Sequence, residues 1–135
     1  MFFLPRYYVV FSVVTHLVSC QHLPPEAVEE WTKLISPFEN ECAPKETKPH
    51  EEVDGIIKEA HVEKSLETCL YLKCLYEKLN FFGPNGEIMG NVVMEKLNYM
   101  TPNITKICVD EAAWEIGRCK KSYAFGNCVI RVFAY

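Results

Sequence analysis

The apolar residues of the chain recur mostly in steps of three and four, the period of a helix with one buried face. Leu23-Pro24-Pro25 followed by Glu26, Glu29 and Glu30 marks a first helix start, since proline suits the first helical position and carboxylates suit the positive end of the dipole. Trp31, Leu34, Ile35 and Phe38 follow at helical spacing, and Pro37 is expected to end or kink this helix near Ser36, leaving Cys42 on a turn. After a polar loop over residues 43–48, Pro49 is expected to open a second short helix. Its stripe is Val53, Ile56, Ile57 and Ala60, and Gly55 weakens it by about 1 kcal/mol. Residues 62–79 carry the strongest helical pattern, polar at first, then apolar nearly all round from Cys69 to Tyr76 except Lys73. A helix of that kind is expected at the centre of the molecule.

Gly83-Pro84-Asn85-Gly86 reads as a turn, with proline presetting one dihedral and glycine free to take another. It is not a calcium loop, because the position that would need a bidentate carboxylate is Val92. Residues 91–100 give a fourth helix with Val93, Leu97 and Met100 on one side, and Thr101-Pro102 caps a fifth. Cys108 and Cys119, eleven residues apart, would lie about 20° apart on one helical face. Val109, Ala112, Ala113 and Ile116 form a stripe beside them, with Trp114 opposite. A last helix is expected over residues 122–133 with Phe125, Cys128, Val129, Val132 and Phe133 inward. The apolar ending through Tyr135 needs something to cover. The pattern therefore predicts an all-α fold of about six short helices.

Composition changes the picture at the N-terminus. Residues 1–6 carry one positive charge, residues 7–19 are mostly apolar, and Val18 and Cys20 suit a cut ahead of Gln21. Residues 1–20 therefore read as a signal peptide of a secreted, extracellular protein, and residues 21–135 as a single domain. The run is too short for a comfortable membrane span of about 30 Å, and no stable membrane insertion is expected. A rival reading of Leu17-Val18-Ser19-Cys20 is a bacterial lipoprotein box. The whole chain carries a formal charge of −4, and this mild acidity disfavours nucleic acid as a partner. Beyond Cys20 stand six cysteines, Cys42, Cys69, Cys74, Cys108, Cys119 and Cys128, separated by 26, 4, 33, 10 and 8 residues. In an exported chain six thiols imply three bridges, and the count alone leaves all pairings open.

Catalysis has no visible address. His50-Glu51-Glu52-Val53-Asp54 lacks the second histidine of a zinc-protease helix, His61 reads as solvated near a helix start, and the paired cysteines are neither nucleophiles nor metal ligands. No cofactor and no metal are expected. What the chain has in excess is apolar surface on short helices, including Phe81, Met94 and Met100. A small scaffold held by three bridges of about 3 kcal/mol each can enclose a cavity in place of a solid core.

The order of the cysteines, one followed by a close pair and then three more, resembles the insect odorant-binding protein family, also called the pheromone and general odorant-binding family. The stretch Lys73-Cys74-Leu75-Tyr76-Glu77-Lys78-Leu79 and the glycine-containing turn after it are similar to the family as well. The resemblance covers essentially all of residues 21–135. It implies bridges from Cys42 to Cys74, Cys69 to Cys119 and Cys108 to Cys128, and helices around an apolar cavity that carries odorants, pheromones or similar lipophiles. On that reading the cavity is lined by Leu70 and Leu75 of the central helix, Phe82, Ile88 and Met89 of the turn region, and Val93 and Leu97. The later helices add Ala112, Ile116, Phe125, Val129 and Phe133, and residues 132–135 wall or close the cavity. An olfactory receptor is a partner the resemblance raises, with the carrier a monomer or weak homodimer. The family usually has three residues between its close pair, whereas four stand between Cys69 and Cys74, which turns the two sulfurs about 140° apart in place of about 40°. A π-bulge or a disturbed turn at Cys69 is therefore expected. Asn103-Ile104-Thr105 is a glycosylation sequon at Asn103. The other reading is a secreted helical module with a solid core and a protein-binding surface around Trp114.

Overall fold

The computed structural model describes residues 21–43 and 51–135; the signal reading, the expected loop and the Pro49 helix start lie outside the described residues. Among the described residues the fold is helical: α1 (Pro25–Ile35), α2 (Glu39–Cys42), α3 (Glu51–Glu59), α4 (Leu66–Lys78), α5 (Gly90–Lys96), α6 (Pro102–Ala113) and α7 (Arg118–Phe133). The α2 element is a single turn, so six helices carry the architecture. The first helix ends at Ile35, next to Ser36 and Pro37, and a 3-10 turn at Ser36–Phe38 leads directly into α2, so Cys42 closes a short helical turn.

The central helix begins at Leu66, not Val62, because the Ser65 hydroxyl accepts the Thr68 amide at 3.1 Å and caps it there. At its far end Asn80 takes a positive φ of 59°, a conformation asparagine tolerates, and the Phe81 amide bonds back to the Tyr76 carbonyl at 2.9 Å. This reversal drops Phe81 into the interior with 0% exposure. The Gly83–Glu87 segment is the tip of a small hairpin, pinned by the Phe82–Ile88 bridge and by the Met89 amide on the Phe81 carbonyl.

Three further boundaries differ from expectation. The α5 helix stops at Lys96, since the Asn98 amide bonds to the Glu30 carboxylate of α1 at 2.6 Å and Leu97 is drawn into an extended conformation. The α6 helix stops at Ala113, and Gly117 with φ 88° turns the chain into α7. Cys108 and Cys119 consequently lie on different helices, and the shared-face argument for them fails. The last helix starts four residues earlier than Ser122, whose hydroxyl donates to the Arg118 carbonyl at 2.7 Å from within the helix and does not cap it.

Three disulfides join these elements: Cys42–Cys74 ties α2 to α4, Cys69–Cys119 ties α4 to α7, and Cys108–Cys128 ties α6 to α7, with Cα separations of 5.5, 4.9 and 5.4 Å. No π-bulge is needed. The α4 helix is continuous through Leu66–Lys78, and the angle of about 140° between Cys69 and Cys74 is what sends one sulfur to α7 and the other to α2. The α7 helix packs along both α4 and α6, and Cys108 and Cys128 are fully buried in that seam. Among the described residues no helix is long and apolar enough to cross a membrane.

Candidate functional site

A cavity of about 80 Å³ lies between α1, α3, α4, the chain after α5, and α7. From α1 come Ala27, Val28 and Trp31, with Leu23 just ahead of it; from α4 come Tyr71, Leu72 and Tyr76. The α7 helix presents Phe125, Gly126, Val129, Ile130 and Phe133, a stripe at one-turn spacing. Leu97, Tyr99 and Met100 of the segment that follows the early end of α5 also line the site. Ile56, Ile57 and Val62 close the side near α3, and Phe81 forms part of the floor.

Since one water needs about 10–15 Å³ of such space, the cavity has room on the order of six water-sized spheres. That is less than a drug-sized ligand takes, so the guest that fits these walls as they stand is compact. No residue of the lining carries a charge. An ion placed there would lose its hydration with nothing to replace it, which selects for neutral molecules.

Aromatic rings set the shape of the walls. Tyr76 stands in the middle of a cluster, with ring centroids of Trp31 at 6.3 Å, Phe81 at 5.3 Å, Phe82 at 6.4 Å and Phe125 at 5.9 Å. Tyr99 meets Phe133 edge-on at 5.3 Å. Burial pushes the phenols of both Tyr76 and Tyr99 far above their ordinary range; the nearby Tyr99 adds to this for Tyr76, and Glu30 adds to it for Tyr99. Both hydroxyls are therefore neutral. At the rim, His22 and Tyr135 exchange two backbone hydrogen bonds of 2.8 and 2.9 Å, so the segments that precede α1 and follow α7 are clasped together next to Leu23 and Phe133.

Four of the residues expected in the lining are in it: Leu97, Phe125, Val129 and Phe133. The others lie elsewhere. Leu70 is 48% exposed, because on a helix apolar nearly all round the inward side is taken by Tyr71, Leu72 and Tyr76. Ile116 is 88% exposed, because α6 has already ended and the residue sits in the turn to α7. Leu75, Ile88, Val93 and Ala112 are buried in the solid part of the core, away from the cavity. Phe82 and Met89 belong to the hairpin, where Phe82 lies under the Arg118 guanidinium at 5.1 Å from its ring centre.

The α1 wall and the three tyrosines were not assigned to the cavity from sequence, although a signal was present. Trp31 stands on an amphipathic stripe, and Tyr71 and Tyr76 put polar tips on the most apolar helix of the chain. Asn103 is exposed in the first turn of α6, while Thr105 of its sequon is 2% exposed, so that threonine has a place in the core independent of any glycan.

Compared with known sequences, residues 25–132 match the model of the PBP/GOBP family. No curated protein and no solved structure matches the chain.

Proposed function

This chain belongs to the PBP/GOBP family, and from that premise we propose that it is a secreted carrier which holds a small, neutral, hydrophobic molecule in the α1–α4–α7 cavity. Odorants, pheromones and similar lipophiles are the guests this reading names. The observation that carries it is the cavity itself, uncharged and walled by aromatic rings within a cross-linked shell. Its action is shielding: an apolar guest leaves water, gains about 25 cal/mol for each Å² of apolar surface covered, and is carried through aqueous fluid without chemical change.

Residues 1–20 are on this reading the export signal, cleaved ahead of Gln21, and residues 21–135 the mature domain, with Asn103 open to glycosylation on the way out. The alternative, a helical module that meets a protein through its surface, has Trp114 in its favour, 90% exposed in the α6–α7 turn. A solid core would have supported that alternative, and the cavity speaks for the carrier. The test is displacement of a fluorescent apolar probe from the oxidised protein. Competition by short-chain alcohols, aldehydes, esters or terpenoids in the micromolar range is expected, and failure of every one to compete overturns the carrier.

A further inference from the structure

We propose that Asn103 carries an N-linked oligosaccharide and that this glycan lies back along the outer face of α6, stacked on the exposed indole of Trp114. The inference rests on the reading of the chain as secreted and adds to it an occupant for an uncovered apolar strip.

Trp114 is 90% exposed and Ile107 49%, so α6 turns toward solvent two large apolar side chains that no described residue covers. Asn103, Ile107 and Trp114 stand four and seven residues apart, which at 100° per residue keeps all three within about 40° of one another on one face. Trp114 continues that face past the last full turn, because as the C-cap it still holds a helical φ of −71° and ψ of −18°. Thr105 occupies the other side at 2% exposure, and this inward threonine of the sequon turns its asparagine outward into the strip. From Asn103 to Trp114 the helix rises about 16 Å, a length that the branched core of an N-linked oligosaccharide spans.

The strip suits a neutral, polar occupant. The charges on this side, Lys106 and Asp110, are bound to each other as an ion pair one helical turn apart, so no net charge is left to draw an ionic partner. A sugar ring has a face of C–H bonds that packs against the negative face of an indole, while the hydroxyls at its edge stay in water. In the attachment step the side-chain amide nitrogen of Asn103 displaces the lipid diphosphate from C1 of a lipid-linked oligosaccharide, forming one C–N bond and releasing one proton. Since Thr105 is buried in the fold, that transfer belongs before α6 packs on α7. After folding, the tether presents the sugar to Trp114 at a high effective concentration and so sustains a contact that free molecules would not keep. No α6 residue lines the cavity, so the carrier reading stands or falls apart from this contact.

The experiment secretes the full chain from cultured insect cells with its own residues 1–20 and takes the protein from the medium. Intact mass is expected to show an oligosaccharide on the wild type that Asn103→Gln lacks. Melting temperatures of the wild type, Asn103→Gln, Trp114→Ala and the double variant then form a cycle. Asn103→Gln is expected to lower the midpoint by about 3 °C more when Trp114 is present than in the Trp114→Ala background. In Trp31→Phe, which leaves Trp114 as the sole tryptophan, acrylamide quenching is expected to rise about twofold on loss of the glycan, as one of the two ring faces is uncovered. Secreted protein with a bare Asn103 overturns the proposal and leaves the export reading standing. An equal shift in both backgrounds, or quenching indifferent to the glycan, overturns the stacking on Trp114. Failure of the chain to reach the medium removes the export reading and the proposal together.

Discussion

Tyr76 and Tyr99 are held protonated by burial, and this ties stability to pH. In the unfolded chain their phenols ionise near the ordinary value of about 10, whereas in the fold they bind the proton well beyond it. Below about pH 10 both states are protonated and the contribution to stability is complete. Above it the unfolded state sheds protons that the folded state keeps, so stability falls by about 1.4 kcal/mol per pH unit for each residue. Denaturant titrations between about pH 9 and 11 are expected to show this loss, and Tyr76→Phe is expected to lower its slope by about one proton. A slope unchanged in the variant would mean that the phenol is not buried. A second contrast tests which side of α4 faces in. Leu75→Ala, at 0% exposure, is expected to cost about 2–5 kcal/mol, while Leu70→Ala stays within about 0.5 kcal/mol, both read from urea midpoints. Periodicity could not separate these two. A helix apolar nearly all round has no polar stripe to mark its outside, and only the packing of α7 decides.

At the scale of the elements, two glycines in open space make a matched pair. Gly117 holds φ 88° between α6 and α7 with nothing within 4 Å of an added Cβ, so Gly117→Ala costs backbone strain alone, about 1–2 kcal/mol. Gly55 within α3 is equally unobstructed, and Gly55→Ala gains up to about 1 kcal/mol from helix propensity. Thermal melts of the two variants are expected to move in opposite directions; movement in the same direction would contradict the assigned turn or helix. The start at Thr101 was legible, where a capping hydroxyl that accepts the Ile104 amide at 3.3 Å is followed by Pro102, whereas the Ser65 cap of α4 fell inside the expected helix. The ends of α5 and α6 were not legible. The end of α5 is set by Glu30, 68 residues away in sequence, and Ser122, where the last helix is expected to begin, lies inside α7. The four-residue gap between Cys69 and Cys74 was legible as an angle but not as a purpose, because its meaning depends on α2 and α7 flanking α4 on different sides.

Across the whole molecule the bridges link α2 to α4, α4 to α7 and α7 to α6, a continuous covalent path through the core. Three bridges of about 3 kcal/mol each rival the 5–15 kcal/mol by which small domains are stable. Reduction with dithiothreitol is therefore expected to abolish most of the helical circular dichroism near 37 °C together with guest binding. A reduced protein that kept both would show that packing alone sustains the cavity. The family was legible from cysteine order, since that order records which helices are tied. The walls were legible only on α7 and at Leu97, because a cavity is a property of how faces meet. The central claim is that cross-linked helices enclose a hollow that receives a guest, and the most direct measurement is anomalous diffraction from crystals of the oxidised protein soaked in 6-bromohexan-1-ol. The account predicts a bromine peak enclosed by Trp31, Tyr76, Phe125 and Phe133; saturated crystals with no bromine among those side chains and an interior filled by protein atoms would contradict it.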